Sequence, residues 1–150
     1  GSLAAVAPHR MLRFEFAKLA PFQDAKQGSV QTLEGVTVRL IELREDDNLV
    51  TAGLVVEYPG DGLKLESFQS WVGNNEIYLE KKQGGKRLPA NAGYSSDERG
   101  DRAVSVRYFF EDKNAQALVG HLDAWKLIYR TPDRLIEVPI AFEFRKIPLP

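Results

Sequence analysis

Leu135-Ile136-Glu137-Val138-Pro139-Ile140-Ala141-Phe142-Glu143-Phe144-Arg145 is the stretch whose reading decides the fold class. Ile136, Val138, Ile140, Phe142 and Phe144 occupy every second position, against Leu135, Glu137, Pro139, Ala141, Glu143 and Arg145. A strand turns successive side chains to opposite faces, so this spacing predicts one apolar and one mostly polar face. Pro139 has no N–H for a ladder, which places its part of the strand at a sheet edge or bulge.

The same period of two recurs upstream. Val104, Val106, Tyr108 and Phe110 alternate with Ala103, Ser105, Arg107 and Phe109, and Val50, Ala52, Leu54, Val56 and Tyr58 alternate with Thr51, Gly53, Val55 and Glu57. Shorter β-branched and aromatic stretches at Leu12–Phe16, Val36–Leu43, Glu76–Glu80 and Trp125–Tyr129 bring the count to about seven strands, as in a sandwich. Turn chemistry at Glu45–Asn48, Pro59–Gly62, Gln83–Gly85 and Thr131–Asp133 predicts a hairpin at each. The expected fold is all-β, an immunoglobulin-like antiparallel β-sandwich of about seven strands, with Phe14, Val56, Val106, Tyr108, Trp125, Ile140 and Phe142 in its core. Leu63–Val72 and Asn114–Gly120 read as short helical turns, and Pro89–Arg102 as a long irregular loop.

Composition narrows the function classes. A chain of 150 residues fits one domain with a core that needs no staples, which matters because there are no cysteines. Disulfides, thiolate zinc sites and cysteine nucleophiles are thereby excluded. Twenty basic against twenty-one acidic residues leave a net charge of −1, no field for a polyanion, so nucleic acid is not an expected partner. No transmembrane segment is expected, since no apolar run approaches the roughly 20 residues that span a bilayer. Gly1-Ser2 reads as a remnant of cloning, residues 1–9 as a flexible leader, and residues 10–150 as a single β-sandwich domain.

Catalytic patterns do not assemble. The two histidines, His9 and His121, lie in the leader and beside Gly120 in a loop, with no nucleophile motif around either. Gly60–Leu65 lacks the third glycine of a dinucleotide fingerprint, and Glu80 stands where a Walker loop before Gly85-Lys86 needs glycine. Lys81, Lys82, Lys86 and Arg87 form a basic tip without stacking aromatics and read as protection of a strand edge. Asp46-Asp47-Asn48 and Asp97-Glu98 with Asp101 are oxygen-rich but lack EF-hand spacing. No catalytic residue, metal site or cofactor is expected.

The segments Ser67-Phe68-Gln69-Ser70-Trp71, Asn74-Asn75-Glu76, Tyr108-Phe109-Phe110 and Leu127-Ile128-Tyr129-Arg130-Thr131-Pro132 resemble uncharacterised bacterial immunoglobulin-like domains, including the telokin-like group. The similarity covers Val36 to Pro150 and departs from the antibody pattern in lacking the inter-sheet cysteine pair and in its tryptophan placement. It implies an extracytoplasmic accessory domain of the bacterial envelope, without catalytic machinery. The expected function is thus a noncatalytic binding or structural module whose partner is a protein or a glycan. A small hydrolase using surface carboxylates and a calcium-stabilised adhesion-like domain are the alternatives. The partner-binding residues expected are Trp71, Asn74 and Asn75, where aromatics mix with amides, and Tyr94 in the long loop. Oligomeric state is left open by the sequence.

Overall fold

Alternation does build the strands, and a computed structural model describes residues 1–60, 72–98, 100, 102–113 and 118–143. Eleven strands are described: β1 (Ser2–Pro8), β2 (Met11–Phe16), β3 (Val30–Leu33), β4 (Val36–Asp46), β5 (Leu49–Glu57), β6 (Glu76–Lys81), β7 (Arg87–Pro89), β8 (Tyr94–Glu98), β9 (Ala103–Glu111), β10 (Trp125–Pro132) and β11 (Leu135–Ala141). All pairings are antiparallel, in three sheets: β3-β4-β5-β9-β8, β2-β10-β6-β7 and the two-stranded β1-β11. The fold is all-β, and its two larger sheets share one core as in a β-sandwich.

From the five-stranded sheet that core takes Val36, Val38, Leu40 and Leu43 of β4, Val50, Ala52, Leu54 and Val56 of β5, and Val104, Val106, Tyr108 and Phe110 of β9. Leu12, Phe14 and Phe16 of β2, Leu79 of β6, and Trp125, Leu127 and Tyr129 of β10 meet them from the other side. On β4 the inward positions switch from even to odd numbers because the register shifts between Leu40 and Glu42. This bulge inserts one residue and explains why the β4 sequence alternates less cleanly than β5.

Local chemistry sets three hairpins. β3 and β4 are joined by Glu34 (φ +48°) and Gly35 (φ +81°), both left-handed, the twist that a two-residue hairpin requires. The sequence carried this turn in Glu34-Gly35, but β3 was not anticipated. Asp47 (φ +48°) closes β4 onto β5, and Gln83-Gly84-Gly85 lies between β6 and β7, as expected. At one corner of the sandwich the Gln31 amide of β3 bonds the backbone N–H and C=O of Glu15 on β2, covering two sheet edges at once.

The C-terminal strand corrects the sequence reading. Ile140 is 45% and Phe142 44% exposed, so neither joins the core, whereas Phe14, Val56, Val106, Tyr108 and Trp125 do. The reason is topological: β10 already pairs with β2 on one edge and β6 on the other, leaving no edge for β11. Thr131-Pro132-Asp133 is therefore a junction between sheets and not a hairpin. β11 pairs instead with Ser2–Pro8, the segment read as a leader, and Pro139 sits in that two-stranded ribbon. Pro59-Gly60 likewise begins a crossover, since β5 and β6 belong to different sheets. The long loop from Pro89 contains the edge strand β8, whose Ser95-Ser96-Asp97 gives no apolar alternation. Most of the two anticipated helical turns, with Phe144 and Trp71, lies outside the described residues.

Asp133 fastens the junction. Its Oδ1 accepts from the backbone N–H of Arg10 (3.0 Å) and Arg134 (2.8 Å), and its Oδ2 lies 3.1 Å from His9 Nδ1. Burial pushes this carboxyl up, but the His9 ring and the two N–H donors outweigh it and hold it below the usual carboxylate range. A lowered folded-state pKa adds stability above the unfolded value near pH 4, lost as pH falls through the folded value. Asp133→Ala is therefore expected to cost about 1–3 kcal/mol at pH 7. Urea denaturation at pH 7 and pH 2.5 checks this, with the gap to wild type closing at the lower pH.

Candidate functional site

Of the expected binding residues, Tyr94 lies at the open edge of the five-stranded sheet. Tyr94, first residue of β8, stands opposite Tyr108 of β9, and opposed residues in an antiparallel pair share a face. Tyr108 points inward, so Tyr94 extends the same inner face to the rim, where it is 50% exposed. The two rings lie 5.9 Å apart at 39°, and Tyr108 is 6.1 Å and 54° from Tyr129 of the opposing sheet. Three rings thus run from solvent into the space between the sheets.

A short turn supplies the amides. Asn75 N–H donates to Val72 O (3.2 Å), and this turn sends Val72 and Asn75 inward while Gly73 and Asn74 face solvent. Asn75 is buried, and its Nδ2 donates to the hydroxyls of Tyr129 (2.7 Å) and Tyr58 (3.3 Å). The Tyr58 hydroxyl also lies 2.7 Å from Thr131 Oγ1. Burial pushes the phenols of Tyr58, Tyr108 and Tyr129 up, so all three remain neutral and available only as hydrogen-bonding groups. The Asn75 carbonyl oxygen is buried with no hydrogen-bond partner among the described residues.

The structure therefore divides the expected site. Asn75 is internal and ties the two sheets together. Asn74 and Tyr94 are at the surface, and the Tyr94 hydroxyl packs so closely on Gly73 that a methyl there would stand 2.6 Å from it. Trp71 lies outside the described residues. Sequence reasoning did not find Tyr58, Tyr108, Tyr129 and Thr131 as a polar cluster, because each occupies an inward position of an alternating strand and reads as core. Their only signal was chemical: four hydroxyl-bearing residues on faces otherwise filled by Val, Leu and Phe.

Elsewhere the surface is neutralised locally. Arg13, Glu15, Lys126, Glu80 and Arg87 form a chain of ion pairs across all four strands of the smaller sandwich sheet, with contacts from 2.6 to 3.3 Å. Arg87 also lies 4.6 Å from the Tyr78 ring, and Lys82 Nζ donates to Asp123 O. Of the basic tip, Arg87, Lys82 and Lys81, the last 6.0 Å from the Trp125 ring, thus have partners within the domain. Glu42 is held by Arg44 (3.3 Å) and Arg107 (2.9 Å) on the outer face of the other sheet. Glu42, Glu80 and Asp133, the most enclosed of the ion-paired carboxylates among the described residues, sit on different faces. Among the described residues no group of three His, Asp or Glu side chains is placed to hold a metal ion. Asp46 pairs with Arg44 (2.5 Å) beside the β4–β5 turn.

One groove of about 220 Å³ lies at the sandwich end, lined by Lys86, Leu88, Asn91, Glu111, Asp112, Lys113 and Trp125. Asn91 is committed there, exchanging both amide bonds with the Glu111 backbone (2.7 and 2.9 Å). Trp125 is only 1% exposed, so its indole belongs to the core more than to the groove. No helix among the described residues is long and apolar enough to cross a membrane. Comparison of the chain with protein-family models, with curated proteins and with solved structures finds no match.

Proposed function

We propose that the chain is a noncatalytic binding module of an extracytoplasmic bacterial protein, on an immunoglobulin-like sandwich, taking a protein or glycan partner at the Tyr94 rim. One observation carries the reading: Tyr94 is half exposed, yet its ring is backed by Tyr108 and its hydroxyl by Gly73. An aromatic surface fixed before binding loses little side-chain entropy when a partner lands on it. The exposed Asn74 amide, one residue from the Gly73 that the Tyr94 hydroxyl packs on, offers directional donors and an acceptor, which suits a sugar hydroxyl or a peptide backbone. Among the described residues Glu42, Glu80 and Asp133 are ion-paired apart from one another and no three acidic or histidine side chains gather, which supports this reading over the hydrolase and calcium alternatives; Asp101 and the Glu98 side chain lie outside the described residues.

Tyr94→Ala removes a surface ring and leaves Asn75, Tyr58, Tyr108 and Tyr129 in place. It is expected to cost about 1 kcal/mol of stability or less while weakening binding at least tenfold. Glycan-array and peptide-display screens with wild type, followed by titration of the best ligand against the variant, check both numbers. A ligand bound equally well by Tyr94→Ala and Asn74→Ala would place the binding surface elsewhere.

A further inference from the structure

The β1-β11 ribbon has an edge that the sandwich does not use. Phe142 N–H donates to Gly1 O (3.1 Å), the Gly1 amine donates to Phe142 O (3.0 Å), and His9 N–H donates to Arg134 O (3.0 Å). These pairs continue the β1–β11 register in which Leu3 opposes Ile140 and Ala5 opposes Val138. In an antiparallel ladder hydrogen-bonded and non-bonded pairs alternate, so the odd residues of β1 spend their backbone groups on β11. The even residues, Ser2, Ala4 and Val6, aim N–H and C=O away from it, at an edge that no described strand covers.

Between Ser2 and Ala7 that edge lacks the usual protections, and only Pro8, at the end of β1, has no N–H to offer there. Ser2–Ala7 carries no charge, no proline and no bulge, and Leu3 and Val6 are 60% and 43% exposed. The other described edges differ: β8 carries Asp97, β7 carries Arg87 and Pro89, β2 carries Arg13 and Glu15, and β3 is covered through Gln31. The far edge of the ribbon is also closed. Pro139 opposes Ala4, a pair whose backbone groups point outward, so its missing N–H falls on the free side of β11 and not in the ladder.

We propose that the free edge of β1 is a self-association surface, where two copies add β1 to β1 antiparallel across a two-fold axis at Ala4. That register sets Ala4 against itself and Ser2 against Val6, satisfying the outward N–H and C=O groups of all three. Moving the axis one residue towards the C-terminus sets Ser2 against Pro8, which has no N–H to give. Because the strand is uncharged, two copies meet without repulsion, and the small Ala4 side chains allow close approach at the axis. A two-fold normal to the sheet keeps odd residues opposite odd residues. Leu3, Val138, Ile140 and Phe142 of both copies, all exposed in one chain, then form one apolar face of a four-stranded sheet. Pro139 ends that sheet on both sides, so the assembly closes at two chains.

Sedimentation velocity of the full chain from about 1 to 100 μM tests this. Wild type is expected to shift from one to two chains with concentration. Ala4→Pro, which removes the outward N–H but no ribbon bond, is expected to raise the dissociation constant at least tenfold with an unchanged circular dichroism spectrum. Ala4→Lys, which sets two lysines face to face at the axis, is expected to do the same and to regain association at high salt. A wild type that stays a monomer at 100 μM overturns the proposal. So does a dimer that persists in both variants, or growth beyond two chains, since Pro139 then fails to close the edge.

Discussion

Trp125→Ala is expected to lower the stability of the domain by about 3–5 kcal/mol, while Phe142→Ala, at an equally aromatic and equally alternating position, is expected to cost less than about 1 kcal/mol. Trp125 is 1% exposed at the start of β10, the strand with neighbours on both edges, and belongs to the shared core. Removing its indole deletes apolar contact with the core and leaves a cavity that an ordered sheet cannot collapse. Phe142 lies past the end of β11, where it lines up with Gly1 across the ribbon and is 44% exposed, so its truncation returns little buried area to water. Chemical denaturation of the two variants at low protein concentration, where ribbon pairing does not contribute, gives both values. Equal losses would mean that the last strand belongs to the core after all.

The second large effect is at Tyr129, and a pair of variants separates its two contributions. Tyr129 is fully buried on β10, its ring 6.1 Å from that of Tyr108 and its hydroxyl 2.7 Å from Asn75 Nδ2. Tyr129→Phe keeps the ring and removes the acceptor that takes the shorter of the two Asn75 bonds, so the expected cost is about 1–2 kcal/mol. Tyr129→Ala also removes the ring, and about 3–5 kcal/mol is expected. The difference between the variants reports packing, and the smaller value reports the polar link between the sheets. A neutral Tyr129→Phe would show that the amide finds enough in the Tyr58 hydroxyl, at 3.3 Å, and that the cluster holds the sheets by shape alone.

Much of the sandwich is legible in the sequence because the inward face imposes a period of two: Val50, Ala52, Leu54 and Val56 of β5 and Val104, Val106, Tyr108 and Phe110 of β9 keep it, whereas buried Ile128 interrupts it on β10. The misreading of β11 comes from the same source. Its alternation is genuine: Ile136, Val138, Ile140 and Phe142 do share a face, but that face belongs to a ribbon and not to the core. Periodicity reports that a strand has an apolar side and cannot report which sheet receives it; that is decided by whether β10 has a free edge. β1 escaped notice because Ala4, Ala5 and Ala7 have little β-propensity of their own and acquire strand geometry from their partner. β8 escaped because Ser95, Ser96 and Asp97 on an edge strand have little to bury.

The candidate site was legible in part. Tyr94 and Asn74 read in the sequence as an aromatic and an amide outside regular strands, and both are at the surface. Asn75 reads the same way, yet its neighbour's exposure does not extend to it: a turn reverses side-chain direction between adjacent residues, and only coordinates show which of two asparagines faces in. The Tyr58–Thr131–Asn75–Tyr129 cluster joins residues 17 to 73 positions apart, a spacing that no local pattern encodes.

The core of the sandwich closes without its last strand, and native-state amide hydrogen exchange reads this strand by strand. At a few micromolar protein, the amides of Lys126–Arg130 are expected to exchange only through global unfolding, because β10 is paired on both edges and packed by the core. The amides of Ile136, Val138 and Ile140 are expected to exchange at least a hundredfold faster, through local opening of the β1–β11 ribbon. Protection at Ile136–Ile140 equal to that of β10 would contradict the account and return β11 to the core of the sandwich.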